Sequence, residues 1–307
     1  MSPLAAIDIG TNTIRMLVAD PDGDDLRPVA RKQRITGLGK SLRETGGIGE
    51  REFRDSVSAL REFRTEMDAL GVSRYRACGT ACLREASNRD AFLSAAEGAG
   101  VSVEIITARE EARRTWEGAA GPPGKRDGTV VMDIGGGSTE FIAGTGDKDS
   151  ISLPIGVVVL LGYFRLSDPP HSAELRNIGF FLKERIPAGT RTWNRRKFRR
   201  MVGTAGTFTT LAALEMGMRD YRPDRINGFR MRYPTVRRWE ERLGRMTERQ
   251  RLRLPGMERG RERYIVPGAI QAVAALEHFG MKDLHISDSG LLEGILKGIA
   301  NGKGERE

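Results

Sequence analysis

Two aspartates stand at the base of near-identical glycine turns. One is Asp8, in Asp8-Ile9-Gly10-Thr11-Asn12-Thr13; the other is Asp133, in Asp133-Ile134-Gly135-Gly136-Gly137-Ser138-Thr139, 125 residues further on. Glycine admits φ > 0 and removes the Cβ that would hold an anion away from the backbone. Consecutive N–H groups, with the Thr or Ser hydroxyls, then form a nest suited to phosphate. A bare carboxylate beside phosphate repels it unless a cation lies between. Mg²⁺, which keeps several waters and takes one or two carboxylates, resolves that conflict. A single triple glycine is equally a flexible hairpin; the repeat, with an Asp in each copy, is what favours phosphate. Neither GxxxxGK[ST] nor GxGxxG occurs, and each turn leads into an apolar run read as a strand, which argues against P-loop and Rossmann sites.

A third carboxylate lies outside the repeat. Thr107-Ala108-Arg109-Glu110 fits a T-x-x-E capping box, which gives Glu110 a structural task. Glu111 has none, and lies about 100° further round the helix. It could act as general base or orient water for attack on phosphorus; the plain alternative is an exposed helix glutamate. Two more turns join a strand to a helix. Gly203-Thr204-Ala205-Gly206-Thr207 offers backbone N–H groups or a nucleotide-sized notch, and Ser287, Asp288 and Gly290 precede the last helix. Ordinary helix capping is the alternative for both.

These residues need a frame, and the hydropathy pattern supplies one. LAAIDIG and TVVMDIG, followed by TIRMLVAD and TEFIAGT, read as two strand–turn–strand units. Phe53, Val57, Leu60, Phe63, Met67 and Leu70 form a core-facing helical stripe. RYRACGT is a strand, with Thr80 as cap of a helix ACLREASNRDAFLSAAE. VSVEIIT and AREEARRTWEGAA complete a β-β-β-α-β-α-β-α order. Gly121-Pro122-Pro123-Gly124 marks a boundary, so domains are expected at 1–124 and 125–307. The N-terminal end of the Glu111 helix is then expected beside a cleft between them.

The chain has 307 residues and 39% apolar content, enough for two cores. The first strand is expected from Leu4, leaving no room for a secretory leader, and no apolar run reaches membrane-spanning length. A cytoplasmic location is expected. The two cysteines, Cys78 and Cys82, match neither a zinc knuckle nor a redox pair and are read as packing residues. Charge is uneven: residues 1–124 carry net −1 and residues 125–307 net +10, with 22 basic against 8 acidic residues between Arg185 and Arg263. Arginine forks suit phosphate, so a polyanion-collecting surface is one reading and a solvated basic face the other. Aromatics there are too sparse for a single-strand stacking platform, and nucleic acid is not expected as a partner.

Seven ordered segments carry a resemblance: DIGTNTIRMLVA, CGTACLREASN, ITAREEAR, VVMDIGGGSTEF, SLPIGVVVL, VGTAGTFTTLAAL and ISDSGLLEGIL. Together, from about residue 4 to 300, they resemble the exopolyphosphatase and guanosine pentaphosphate phosphatase family. The resemblance implies an α/β architecture of two ribonuclease-H-like domains of the actin, Hsp70 and sugar kinase superfamily. It also implies Mg²⁺ dependence and hydrolysis of a terminal phosphoanhydride. By it, Glu111 matches the catalytic glutamate, and Asp133 and Glu140, with Asp8, stand on the metal side. Asn12, Thr13, Arg15, Arg84, Asn88, Gly135, Gly136, Gly137 and Ser138 match phosphate contacts. Gly203, Thr204, Gly206 and Thr207 match the nucleotide-side loop.

There are departures. His171, His278 and His285 include no His-Asp doublet, so the helical C-terminal domain of longer members is not expected. Val159 and Leu292 stand where many relatives carry arginine, which bears on substrate affinity. Three readings remain: an exopolyphosphatase, a guanosine pentaphosphate phosphohydrolase, and a weakly catalytic alarmone sensor, each without a membrane partner and each compatible with a homodimer.

Overall fold

The computed structural model describes residues 2–22, 25–146 and 148–302. The repeat seen in the sequence is a repeat of topology. Strands β1 (Leu4–Ile9), β2 (Thr13–Asp22), β3 (Asp25–Ile35), β4 (Arg74–Gly79) and β5 (Val103–Ile105) form one sheet in the order β3-β2-β1-β4-β5. β1–β2 and β2–β3 are antiparallel hairpins, whereas β4 and β5 join in parallel. The second sheet repeats this with β6 (Thr129–Ile134), β7 (Thr139–Ile142), β8 (Ser150–Leu153) and β9 (Arg200–Thr204). β10 (Arg230–Arg232) and β11 (Asp283–Ile286) complete the order β10-β11-β9-β6-β7-β8. With the edge strand β10 set aside, both sheets are 3-2-1-4-5 and mixed, the ribonuclease-H-like pattern.

Helices cover the sheets. α1 (Glu50–Ala69) buries Leu60, Phe63 and Met67, with Phe53, Val57 and Leu70 packed at the edge, as the stripe predicts. The segment expected as one helix after Thr80 is two, α2 (Ala81–Glu85) and α3 (Arg89–Gly98). The break has a cause: Asn88 Oδ1 accepts from Ile48 N at 2.9 Å while its Nδ2 donates to Ile48 O at 2.9 Å. That pairing holds Asn88 in a cap position. Thr80 begins α2, but its hydroxyl donates to Ile9 O at 3.2 Å instead of capping. Cys78 and Cys82 are buried free thiols, and burial pushes Cys82 up to about 12.

α4 (Ala108–Ala119) carries Glu111. α5 (Val157–Phe164), α6 (Ser172–Thr190), α7 (Gly206–Glu215), α8 (Tyr233–Gly244) and α9 (Ile265–His278) belong to the second sheet, and α10 (Leu291–Ala300) ends the helices. None of the described helices is long and apolar enough to cross a membrane.

The expected division at 124/125 is corrected at both ends. One unit runs to Gly118 and resumes at Gly290; the other is Ala119–Ser289. α10 therefore belongs with the first sheet, where Leu291, Leu292, Ile295, Leu296 and Ile299 pack on Leu4, Ala6, Leu17 and Ala19. An adjacent flank carries Gly294 and Gly298. A Cβ at Gly294 would overlap Arg114 O, one at Gly298 the Arg114 guanidinium, and one at Gly118 would meet Gly290 O. Arg114, 2% exposed, reaches Glu117 Oε2 at 3.2 Å and Gly294 O at 3.5 Å. The helix bearing Glu111 is thus seated on the last helix of the chain. Leu292 is buried in the cluster that packs on the first sheet.

Candidate active site

In the first unit, Gly10 N donates to Thr13 O at 3.1 Å and closes the turn. Residues 36–39 brace it from behind: Thr36 N and Gly37 N donate to Asn12 O, and Gly39 N to Thr11 O. Asn12 Oδ1 is buried without a hydrogen-bond partner. Thr13 opens β2 beside it. Asp8 and Arg15 are register partners on β1 and β2, so their side chains share a face at close range. Arg15 Nη2 donates to Asp8 Oδ2 at 2.6 Å and Nε at 3.1 Å. Asp8, expected as a metal ligand, is paired in this structure with the arginine opposite.

Glu111 sits in the first turn of α4, its N–H donating to Thr107 O at 2.9 Å. The capping box is half made: Thr107 Oγ1 accepts from Glu110 N at 3.1 Å, but the Glu110 carboxylate is spent on Arg76 at 2.7 Å. Glu111 meets a different cation. Arg84 Nη1 donates to Glu111 Oε2 at 2.8 Å and to Ile106 O at 3.0 Å. The two groups are 24% and 15% exposed, accessible at the ends of α2 and β5. Asn88, expected on phosphate, has its amide engaged on both sides by the Ile48 backbone in this structure.

The second unit repeats the turn and changes its charge. Gly135 N donates to Ser138 O at 3.0 Å, and the start of α5 braces the loop. Gly156 N, Val157 N and Val158 N donate to Gly137 O, Gly135 O and Gly136 O at 3.1, 3.0 and 2.9 Å. Orphan donors of a helix start thus take up the turn's carbonyls. The N–H groups of Gly136, Gly137 and Ser138 find no acceptor among the described residues. They are a nest open to an anion. A Cβ on Gly156 would overlap Gly136 O and the Gly136 and Gly137 carbonyl carbons. Gly156→Ala is therefore expected to lower stability by about 1–3 kcal/mol, the usual penalty of overpacking. An unchanged thermal midpoint would show that α5 does not brace the turn. Val159 lies half-buried in the first turn of α5.

Asp133 and Glu140 are register partners on β6 and β7, the same positions that Asp8 and Arg15 hold in the first copy. Here two acids face one another. Glu140, 5% exposed, accepts from Ser152 Oγ at 2.8 Å. No group of three or more His, Cys, Asp or Glu among the described residues could hold a metal ion. A pair of carboxylates beside an anion nest nevertheless fits Mg²⁺, which completes its shell with water and substrate oxygens.

Thr204 lies beside Asp133 in the parallel β6–β9 pair, so the 203–207 loop starts next to the nest. Thr204 and Thr207 are buried, with Thr204 Oγ1 donating to Ser289 O at 3.0 Å. Gly203 packs under Phe208, where a Cβ would overlap the ring. The Ala205 and Gly206 backbone remains accessible, and Ala205 has φ 68°, a conformation non-glycine residues seldom adopt. A Cβ on Gly206 would strike the Arg261 guanidinium. Close by, the Tyr221 hydroxyl donates to Asp288. Arg261 and Tyr221 sit in a stretch of arginines and turns with no periodic signal, and sequence reasoning missed both.

The fold of this chain is shared with known proteins. The model of the Ppx/GppA phosphatase family matches residues 17–302. Exopolyphosphatase 2 of Mycobacterium tuberculosis is 34% identical over 98% of this chain and 99% of its own length. A Ppx/GppA family member from Aquifex aeolicus superposes with a TM-score of 0.78 at 30% identity, covering 99% of both chains. An exopolyphosphatase from Cytophaga hutchinsonii gives 0.87 at 25% identity, covering 98% of each.

Proposed function

Since the chain belongs to the Ppx/GppA phosphatase family, we propose that it is a hydrolase releasing terminal phosphate from inorganic polyphosphate by Mg²⁺-assisted attack of water. One observation carries this reading. The duplicated hairpin places an Asp–Arg pair at one turn and an Asp–Glu pair at the equivalent place in the other. The first turn brings its own cation; the second has two acids where a divalent cation would be held.

Asp133 and Glu140 would hold Mg²⁺, which when bound offsets charge on phosphate oxygens. The N–H groups of Gly136, Gly137 and Ser138 bind the phosphoryl oxygens and stabilise charge as it develops there. Arg15 and the Asn12 amide bind phosphate at the first turn. Glu111 orients the water and accepts its proton at the carboxylate. Arg84 fixes the rotamer of Glu111 until an anion competes for the guanidinium.

A second reading, guanosine pentaphosphate as substrate, draws on the Gly206 notch. Tyr221 and Arg261 are planar groups beside an accessible loop, a setting in which a base can stack. Phosphate release measured in parallel on long polyphosphate, tripolyphosphate and guanosine pentaphosphate decides between them. Faster release from polyphosphate is expected. The reverse order would install the second reading, and tight binding with no release from any substrate would leave a sensor.

A further inference from the structure

The phosphate turn lies at one end of the second sheet, and the densest positive charge at the other. β6 and β9 run parallel and end at Ile134 and Thr204. Their starting ends are joined to residues 121–128 and 191–199, and because β7 returns antiparallel to β6, Lys148 and Asp149, just before β8, lie there too. Residues 191–200 contain six cations and no acid. These segments are stitched into one platform. Trp193 Nε1 donates to Lys148 O at 3.0 Å; Arg196 lies over the Trp193 ring at 5.1 Å and bonds Asp149 at 2.6 Å. Arg199 N and Arg200 N both donate to Gly128 O. Asp149 is thereby spent on Arg196. Arg195, Lys197 and Arg199 are exposed and have no carboxylate within ion-pair distance among the described residues.

A strand of five or six residues spans about 16–20 Å. That exceeds the screening length of about 8 Å at physiological salt, so these cations barely touch a phosphate held at the turn. They suit a more distant part of the same anion. The ligand chemistry is phosphate without bases: Trp193 is buried, and Phe198 packs between Trp193 and Phe279 with ring centroids 5.5 Å away on each side. Neither ring is presented for a base to stack on, as single-strand binders require.

We propose that the 121–128 and 191–199 connections, with Lys148 and Asp149, form a second anion-binding surface, which holds the distal part of a linear polyphosphate whose end occupies the Gly135–Ser138 turn. This rests on the polyphosphate reading above. The surface makes long chains bind more tightly than short ones without taking part in the chemistry.

The test is a triple variant, Arg195→Gln, Lys197→Gln and Arg199→Gln, assayed on long polyphosphate and on tripolyphosphate over a range of salt. KM for the long chain should rise about tenfold or more at low salt, and its logarithmic salt slope should fall by about 2, at roughly 0.7 per lost phosphate contact. For tripolyphosphate, kcat and KM should not change. Unchanged KM on the long chain, or an equal rise on both substrates, would overturn the proposal. In equilibrium binding of labelled long polyphosphate, unlabelled polyphosphate should displace the probe far better than single-stranded DNA at equal phosphate concentration; equal displacement would make this a nucleic-acid surface instead. If neither substrate is hydrolysed yet the variant still loses long-chain binding, the surface stands and the hydrolase reading falls.

Discussion

Glu111→Gln should lower phosphate release by about 10²–10⁴-fold, the range set by loss of a general base, with KM and thermal midpoint close to those of the parent protein. The substitution is nearly isosteric. The amide oxygen can still accept the hydrogen bond that Arg84 Nη1 now gives to Oε2 at 2.8 Å, so the junction of α2, β5 and α4 is retained. What is lost is the ability to accept a proton from water. The helix carrying this group is held by contacts that the substitution leaves alone, above all Arg114 against Gly294 and Glu117. Turnover near that of the parent would remove Glu111 from the chemistry. A large fall in thermal midpoint would mean that the Arg84 ion pair is structural.

Much of this frame could be anticipated from local pattern. Strand–turn–strand units show as apolar runs punctuated by glycine, and the two copies of Asp-Ile-Gly announced the duplication that the matching 3-2-1-4-5 sheets display. What stayed hidden depends on partners distant in sequence. The return of α10 to the first unit rests on Gly294 and Gly298 admitting Arg114, some 180 residues earlier. A glycine in a helix is locally only an unfavourable residue, and nothing nearby names its partner. The break between α2 and α3 is similar: Asn88 leaves the helical pattern because the Ile48 backbone, 40 residues before it, takes both ends of its amide.

The site shows the same division. The Asp133–Glu140 pairing follows from hairpin register, and its distinction from Asp8–Arg15 was already spelled in the residue types. Motif similarity alone treats Asp8 and Asp133 alike, whereas the residue seven positions on is an arginine in one copy and a glutamate in the other. The nest could be foreseen from the glycines. That its carbonyls are turned away by the start of α5 required the tertiary structure.

Asp133→Asn and Glu140→Gln should each remove most activity and, separately, the thermal response to Mg²⁺. A ligand that binds only the folded state stabilises it by about 2.7 kcal/mol at a hundred times its dissociation constant. The parent protein should therefore show an upward shift in thermal midpoint that saturates with added Mg²⁺. Each variant keeps the size of its side chain and an oxygen acceptor; for Glu140 this preserves the hydrogen bond from Ser152 Oγ at 2.8 Å. The loss should thus fall on the cation rather than the fold. Asp8→Asn separates the two turns. Its partner is Arg15 at 2.6 Å, so that variant should lose stability through a weakened ion pair while keeping the Mg²⁺-dependent shift. If Asp8→Asn abolishes the shift and Glu140→Gln does not, the cation belongs at the first turn, and the charge asymmetry of the duplicated hairpins has been assigned the wrong way round.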